Sequence, residues 1–180
     1  MYELALRAAS PRTEDLGDVA LISRRDFDER ATFTFRARVP CLEYVSLLIE
    51  TAVLLRANRA GRVYVGFERL SRMEPIADRF LRIADLSERL YVFGETDWTP
   101  PRHPHLRAVP VGPAQKLARE WFVIVNSPTQ RVALVARDED GFSASALEER
   151  TFSAVKTSDP RTVEQLASAA EDVIDSSLAG

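Results

Sequence analysis

The chain of 180 residues has one cysteine, Cys41, so no internal disulfide can form and no thiolate cluster exists for zinc or an iron–sulfur centre. Histidine is almost as scarce, with only His103 and His105. The seven glycines are scattered, whereas a phosphate-cradling loop needs them clustered between a strand and a helix so that backbone N–H groups can approach the phosphate. No Gly-x-Ser-x-Gly elbow marks a nucleophilic serine. Nowhere do about 18 apolar residues follow one another, and residues 1–7 lack the apolar run of a signal peptide, so the chain reads as cytoplasmic and without a membrane partner. Of the 24 basic residues only Lys116 and Lys156 are lysine, a bias of GC-rich prokaryotic genomes that says nothing of function. Acidic and basic residues are interspersed and the net charge is −3, so no basic face for nucleic acid is visible.

What is present is the composition of one soluble globular domain, 46% hydrophobic and 28% charged. A chain of this length removes roughly 70% of its unfolded surface from water, enough for a core without metal or crosslink. One domain over residues 1–180 is expected, with 1–30 a rim segment of short helices and 31–180 the core.

Residues 31–38 alternate β-branched and aromatic side chains with Phe33 and Phe35 on one face, which predicts a strand closed by Pro40. Residues 41–59 carry Leu42, Val45, Leu48, Ile49, Ala52 and Leu55 at spacings of three and four, a helix ending at Gly61. Its apolar arc is so wide that only Glu43, Ser46 and Glu50 form a polar stripe, and the fold or a second subunit must cover the rest. A strand at 62–67 follows. Ser71 and Glu74 match a capping box for a helix with Met73, Ile76, Phe80 and Ile83 on one face, before strands at 90–93 and 106–111. Strand–helix alternation in this half indicates a parallel sheet. Residues 121–125 and 132–136 read as a hairpin and 151–155 as a last strand. Asp159 and Pro160 then supply the N-cap and first turn of a C-terminal helix. The fold class is therefore α/β: a mixed sheet of about six or seven strands, parallel first half, antiparallel second half, helices on both faces. Self-association through 41–59 or the C-terminal helix is expected from their apolar surface, making a homodimer a candidate assembly.

Chemistry-bearing groups are sparse. Cys41, at the start of an apolar helix, reads as a buried inert thiol. His103 and His105 flank Pro104 in a proline-rich loop; their spacing is not a zinc pattern, and a solvated loop is the plainer reading. Trp121, where Lys116-Leu-Ala-Arg-Glu-Trp121-Phe122 runs into a buried strand, is either a core plug or the wall of a pocket.

Taken together, Val-Tyr-Val-Gly-Phe-Glu-Arg at 63–69, Leu-Tyr-Val-Phe-Gly-Glu at 90–95, Leu-Ala-Arg-Glu-Trp-Phe-Val-Ile-Val at 117–125 and the strand and helix from Thr151 through Pro160 resemble the DICT domain. This is a sensory module named for its occurrence with diguanylate cyclases and two-component systems. The resemblance spans roughly residue 31 to the C-terminus and is most specific at Arg119-Glu120-Trp121-Phe122. It implies a non-catalytic input domain of prokaryotic signal transduction, often linked to light responses, acting on an output partner in trans because no cyclase, kinase or DNA-binding segment is attached; an excised fragment would look the same. It supplies no cofactor and no functional residues. A small α/β enzyme and a pure protein-interaction module remain the alternatives.

The candidate site follows from sheet architecture. Open α/β sheets bind ligands beyond the carboxyl ends of parallel strands. Phe67, Glu68, Arg69, Phe93, Gly94 and Glu95 are therefore expected to line one crevice, with Gly94 keeping it open, Arg72 pointing in, Trp98 folding over as a lid and Trp121 as a wall. Gly94→Val and Arg69→Ala would then abolish the response with little change in thermal midpoint.

Overall fold

The hydrophobic alternation at residues 32–38 becomes strand β2 (Thr32–Arg38), with Phe33, Phe35 and Ala37 buried and their neighbours turned away. The computed structural model describes residues 1–9, 13–56, 61–140 and 146–179. Before β2 come α1 (Tyr2–Ala9), β1 (Glu14–Asp18) and α2 (Arg24–Glu29); after it come α3 (Val39–Leu55), β3 (Arg62–Arg69), a 3-10 turn (Leu70–Ile76), α4 (Ala77–Leu86), β4 (Arg89–Glu95) and β5 (Leu106–Pro110). The second half consists of β6 (Glu120–Asn126), β7 (Arg131–Asp138), β8 (Thr151–Thr157) and α5 (Pro160–Leu178). Residues 57–59 of the helix expected from the sequence, and Gly141 of the turn after β7, lie outside the described residues.

Among the described residues eight strands form one mixed sheet in the order β1-β2-β8-β7-β6-β3-β4-β5. The block β3-β4-β5 is parallel and the block β2-β8-β7-β6-β3 antiparallel. The mixed α/β class is thus as the sequence indicates, with one strand more. The extra strand is β1, an acidic edge segment that pairs parallel to β2 across a break in register, and Gly17 within it has φ of 67°, the left-handed region that glycine enters without strain. The sheet order also differs from simple strand–helix alternation. β2 points the same way as β3 but is not beside it, because β8, β7 and β6 pair between them.

Both faces are covered. On one, α2, α3, α4 and the 3-10 turn enclose Phe33, Phe35, Val65, Val92, Val123, Leu134 and Phe152; on the other, α1 and α5 enclose Tyr64, Tyr91, Phe93, Phe122, Ile124 and Val155. α1 therefore packs on a face and not on the rim, with Tyr2, Ala5 and Ala9 buried. α5 starts as expected: the Thr162 N–H and hydroxyl donate to Asp159 Oδ2 at 2.9 and 2.7 Å, and Pro160 occupies the first turn. The capping box at Ser71 does not form. The Ser71 N–H and hydroxyl donate instead to Asp97 at 2.9 and 2.6 Å, and the segment is a 3-10 turn containing Pro75. α3 ends at Leu55, with the Arg56 N–H bonded to the Val53 carbonyl, so Gly61 is not its cap.

Two glycines are set by close approach. Gly66 pairs with Phe122 across β3 and β6, and a Cβ there would lie 2.1 Å from the Phe122 ring. At Gly94 a Cβ would come within 3.0 to 3.1 Å of backbone atoms of residues 67–70, so this glycine lets the 3-10 turn close on β4 and does not hold a crevice open.

Candidate functional site

Of the polar stripe of α3 only Glu43 faces solvent. Ser46 and Glu50 are buried and look toward the sheet, while Leu47 and Leu55 are the exposed large residues of that helix, 37% and 79% accessible. Between the amino-terminal part of α3, the 3-10 turn and the sheet lies a cavity of about 920 Å³. The sheet contributes Val65, Phe67, Trp121, Val123 and Phe152 as floor, and Tyr44, Leu47, Ile76 and Leu147 close the sides. It opens where β3 and β4 end and β6 and β8 begin, the position at which open sheets place ligands.

Trp121 is held from both sides. Its indole N–H donates to Ser46 Oγ at 3.1 Å, and its ring meets Phe152 edge to face with centroids 6.2 Å apart. Phe67 packs edge-on against Phe80 at 5.7 Å.

Charges enter the cavity as pairs. Glu68 Oε2 accepts from Arg72 at 2.6 Å and from Arg150 at 3.0 Å, and Arg150 also lies 3.4 Å from Asp138. Burial pulls the Arg72 guanidinium below its ordinary pKa, against the attraction of Glu68. On the α3 side Glu50 Oε2 accepts from Arg79 at 3.1 Å. Burial pushes the Glu50 carboxyl up to about 6, and Arg79 offsets only part of that. At the rim Glu43 and Arg119 are exposed, and Glu120 accepts from the Tyr2 N–H while pairing with the Met1 ammonium at 3.2 Å.

Of the residues expected at the crevice, Phe67, Glu68, Arg72, Glu95 and Trp121 line this cavity. Arg69 does not line it; it is half-exposed, 3.9 Å from Glu95. Phe93 faces the opposite side of the sheet, with its ring 5.4 Å from Phe122. Gly94 is covered by the backbone of residues 67–70, and Trp98 packs against the core beyond the cavity wall. Ser46, Glu50, Arg79, Asp138 and Arg150 were not among the expected residues. The stripe at Glu43, Ser46 and Glu50 was the available signal, since polar residues at helical spacing in an otherwise apolar helix mark a lined space as well as a solvated edge.

The other candidates have local partners. His103 Nε2 is 2.9 Å from Asp85, His105 Nδ1 is 3.0 Å from the Ser87 carbonyl, and the His105 N–H donates to His103 Nδ1. Cys41 is buried, which raises its thiol pKa. Among the described residues no group of three or more His, Cys, Asp and Glu side chains is placed to hold a metal ion, and no helix is long and apolar enough to cross a membrane.

A family model described as the sensory domain in diguanylate cyclases and two-component systems matches residues 42–139, which include most of the cavity wall. No curated protein matches the chain in sequence. Among solved structures, the polyphosphate kinase of Porphyromonas gingivalis is similar with a TM-score of 0.61 at 13% identity, over 87% of this chain and 29% of that one. NucT of Helicobacter pylori aligns with a TM-score of 0.43 at 13% identity, over 80% of this chain and 96% of that one. At these identities the likeness to the kinase concerns the fold alone.

Proposed function

The chain belongs to the DICT family of sensory domains, and from that premise we propose that it is a non-catalytic input module whose stimulus is a small molecule held in the cavity beneath α3. The observation that carries this reading is the cavity itself. Its volume of about 920 Å³ is that of a site for a drug-sized molecule, and its walls are mostly apolar with a few fixed polar groups, as in small-molecule sites generally. Its deep ionisable side chains are engaged with one another, Glu68 with Arg72 and Arg150, and Glu50 with Arg79. A general acid or base needs a carboxyl or amine aimed at the reacting atoms, whereas here each deep carboxylate is held by a guanidinium. That favours recognition over turnover.

The output passes to a signalling partner in trans. Leu47 is the structural link, because it lines the cavity and is also 37% exposed on the outer side of α3. A molecule pressing on the inner side of α3 changes how that helix seats on the sheet, and its outer side carries the change to a partner. Shifting such a two-state equilibrium requires only that the ligand bind one seating better than the other.

The test is mass spectrometry of small molecules released on denaturing the protein purified from its native host, compared with Leu47→Trp. The added indole occupies part of the cavity from its side wall, at a partly exposed position that tolerates bulk. One compound enriched with the parent and lost from a folded Leu47→Trp variant is the expected result. No enriched compound, or equal retention by the variant, overturns the reading.

A further inference from the structure

We infer that the cavity selects an uncharged, ring-bearing organic molecule and rejects polyanions such as nucleotides. The inference rests on the reading of the cavity as a ligand site and names its ligand class. It comes from the charge balance of the deep wall, where three carboxylates, Glu68, Asp138 and Glu50, stand against three guanidiniums, Arg72, Arg150 and Arg79, joined by contacts of 2.6 to 3.4 Å. These six side chains balance one another before any ligand arrives, and the remaining charged lining, Glu43, Glu95 and Glu120 against Arg119, adds no cationic surplus for an anion.

A phosphate group needs guanidiniums or N–H groups that it can take for itself. Here it would have to displace Glu68 from Arg72 and Arg150, leaving a carboxylate that is 19% exposed without its cations, a state that proteins tolerate poorly. A second phosphate would meet the same obstacle at Arg79 and Glu50, where the carboxylate is 7% exposed. An uncharged molecule disturbs neither pair. Its rings gain the faces and edges of Tyr44, Phe67, Trp121 and Phe152, and its polar substituents meet the rims of intact ion pairs.

Two probes that share one ring framework separate charge from shape: N-phenyl-1-naphthylamine, which is uncharged, and 8-anilinonaphthalene-1-sulfonate, which adds a sulfonate. Each is titrated into Trp98→Phe protein, leaving Trp121 as the sole energy-transfer donor, and GTP is titrated by calorimetry as the polyanion. Direct excitation of the naphthylamine in the parent protein gives the same reading should Trp98→Phe fail to fold. Saturable binding of the uncharged probe near one per chain, with the sulfonate at least ten-fold weaker and GTP silent, is the expected outcome. Equal or tighter binding of the sulfonate, or binding of GTP, overturns the ligand class but leaves the cavity a site. No saturable binding by any of the three overturns both.

Discussion

The indole N–H of Trp121 donates to the hydroxyl of Ser46 at 3.1 Å, so the floor of the cavity in β6 is tied to its roof in α3. Ser46 is buried and Trp121 partly so, which means that removing the acceptor leaves a donor with little water to replace it. Ser46→Ala is expected to cost roughly 1–2 kcal/mol. In a Trp98→Phe background the emission of Trp121 should also shift to shorter wavelength, because its indole N–H loses a partner that water does not replace. A urea titration followed by fluorescence reads both quantities, and an unchanged spectrum with unchanged midpoint would remove the tie from the account.

Gly66 and Gly94 differ in what they would strike. At Gly66 the obstacle is the Phe122 ring, a side chain that can yield by disturbing its contact with Phe93; at Gly94 it is backbone at 3.0 to 3.1 Å, which yields only if the 3-10 turn moves. Both alanine substitutions are expected to destabilise by about 1–3 kcal/mol, the usual cost of overpacking. Phe122→Leu should recover part of the loss in Gly66→Ala and none in Gly94→Ala. Gly94→Val is consequently a stability variant and not the silent probe of a crevice that the sequence suggested. Denaturation midpoints of the singles and doubles check this, and equal rescue of both would contradict it.

Glu50 makes stability fall as pH rises through the weakly acidic range. Its carboxyl titrates near 6 in the folded protein against an ordinary 4.5, so the folded state holds more protons between those values. The associated stability is fully present below about 4.5 and is lost as pH passes 6, in all about 2 kcal/mol. Glu50→Gln keeps an acceptor for Arg79 and removes the titration. The difference in urea midpoint between variant and parent should therefore grow in favour of the variant from pH 4.5 to 7; a constant difference would mean that Glu50 is not buried as described.

Lys156 acts in the opposite sense at the alkaline end. It is 2% exposed, donates to the carbonyls of Phe27 and Arg30 at 2.8 and 2.7 Å, and lies 4.6 Å from the Phe27 ring centroid. Burial lowers its pKa to about 8 from 10.5, with Asp28 opposing. Between those values the unfolded chain binds the extra proton, so stability rises with pH across the window by about 3 kcal/mol. Lys156→Met should lack that rise between pH 7.5 and 10, whatever its absolute stability. Parallel slopes for parent and variant would refute the assignment.

Local chemistry made much of the fold legible. The alternation in β2, the nearly continuous apolar run of β6 and the Asp159–Pro160 start of α5 each reflect interactions within a few residues. β1 escaped because its Glu-Asp-Leu-Gly-Asp sequence carries no strand pattern and depends on pairing with β2. The insertion of β6 to β8 between β2 and β3 is a non-local choice that periodicity does not encode. At the site, the strand-end rule reached Phe67, Glu68 and Glu95, but period-2 alternation puts Phe93 on the same face as Tyr91 and away from Val92, a distinction already available in the sequence. Asp138 and Arg150 join Glu68 only through tertiary packing, and nothing in their neighbours announces it.

A crystal structure of the protein purified from its native host tests the central claim most directly. Density for an organic molecule is expected in the cavity between Tyr44 and Trp121, with the Glu68–Arg72 and Glu68–Arg150 pairs intact beside it. A cavity closed by the protein's own side chains, or one holding only water, would contradict a small molecule as the input of this domain.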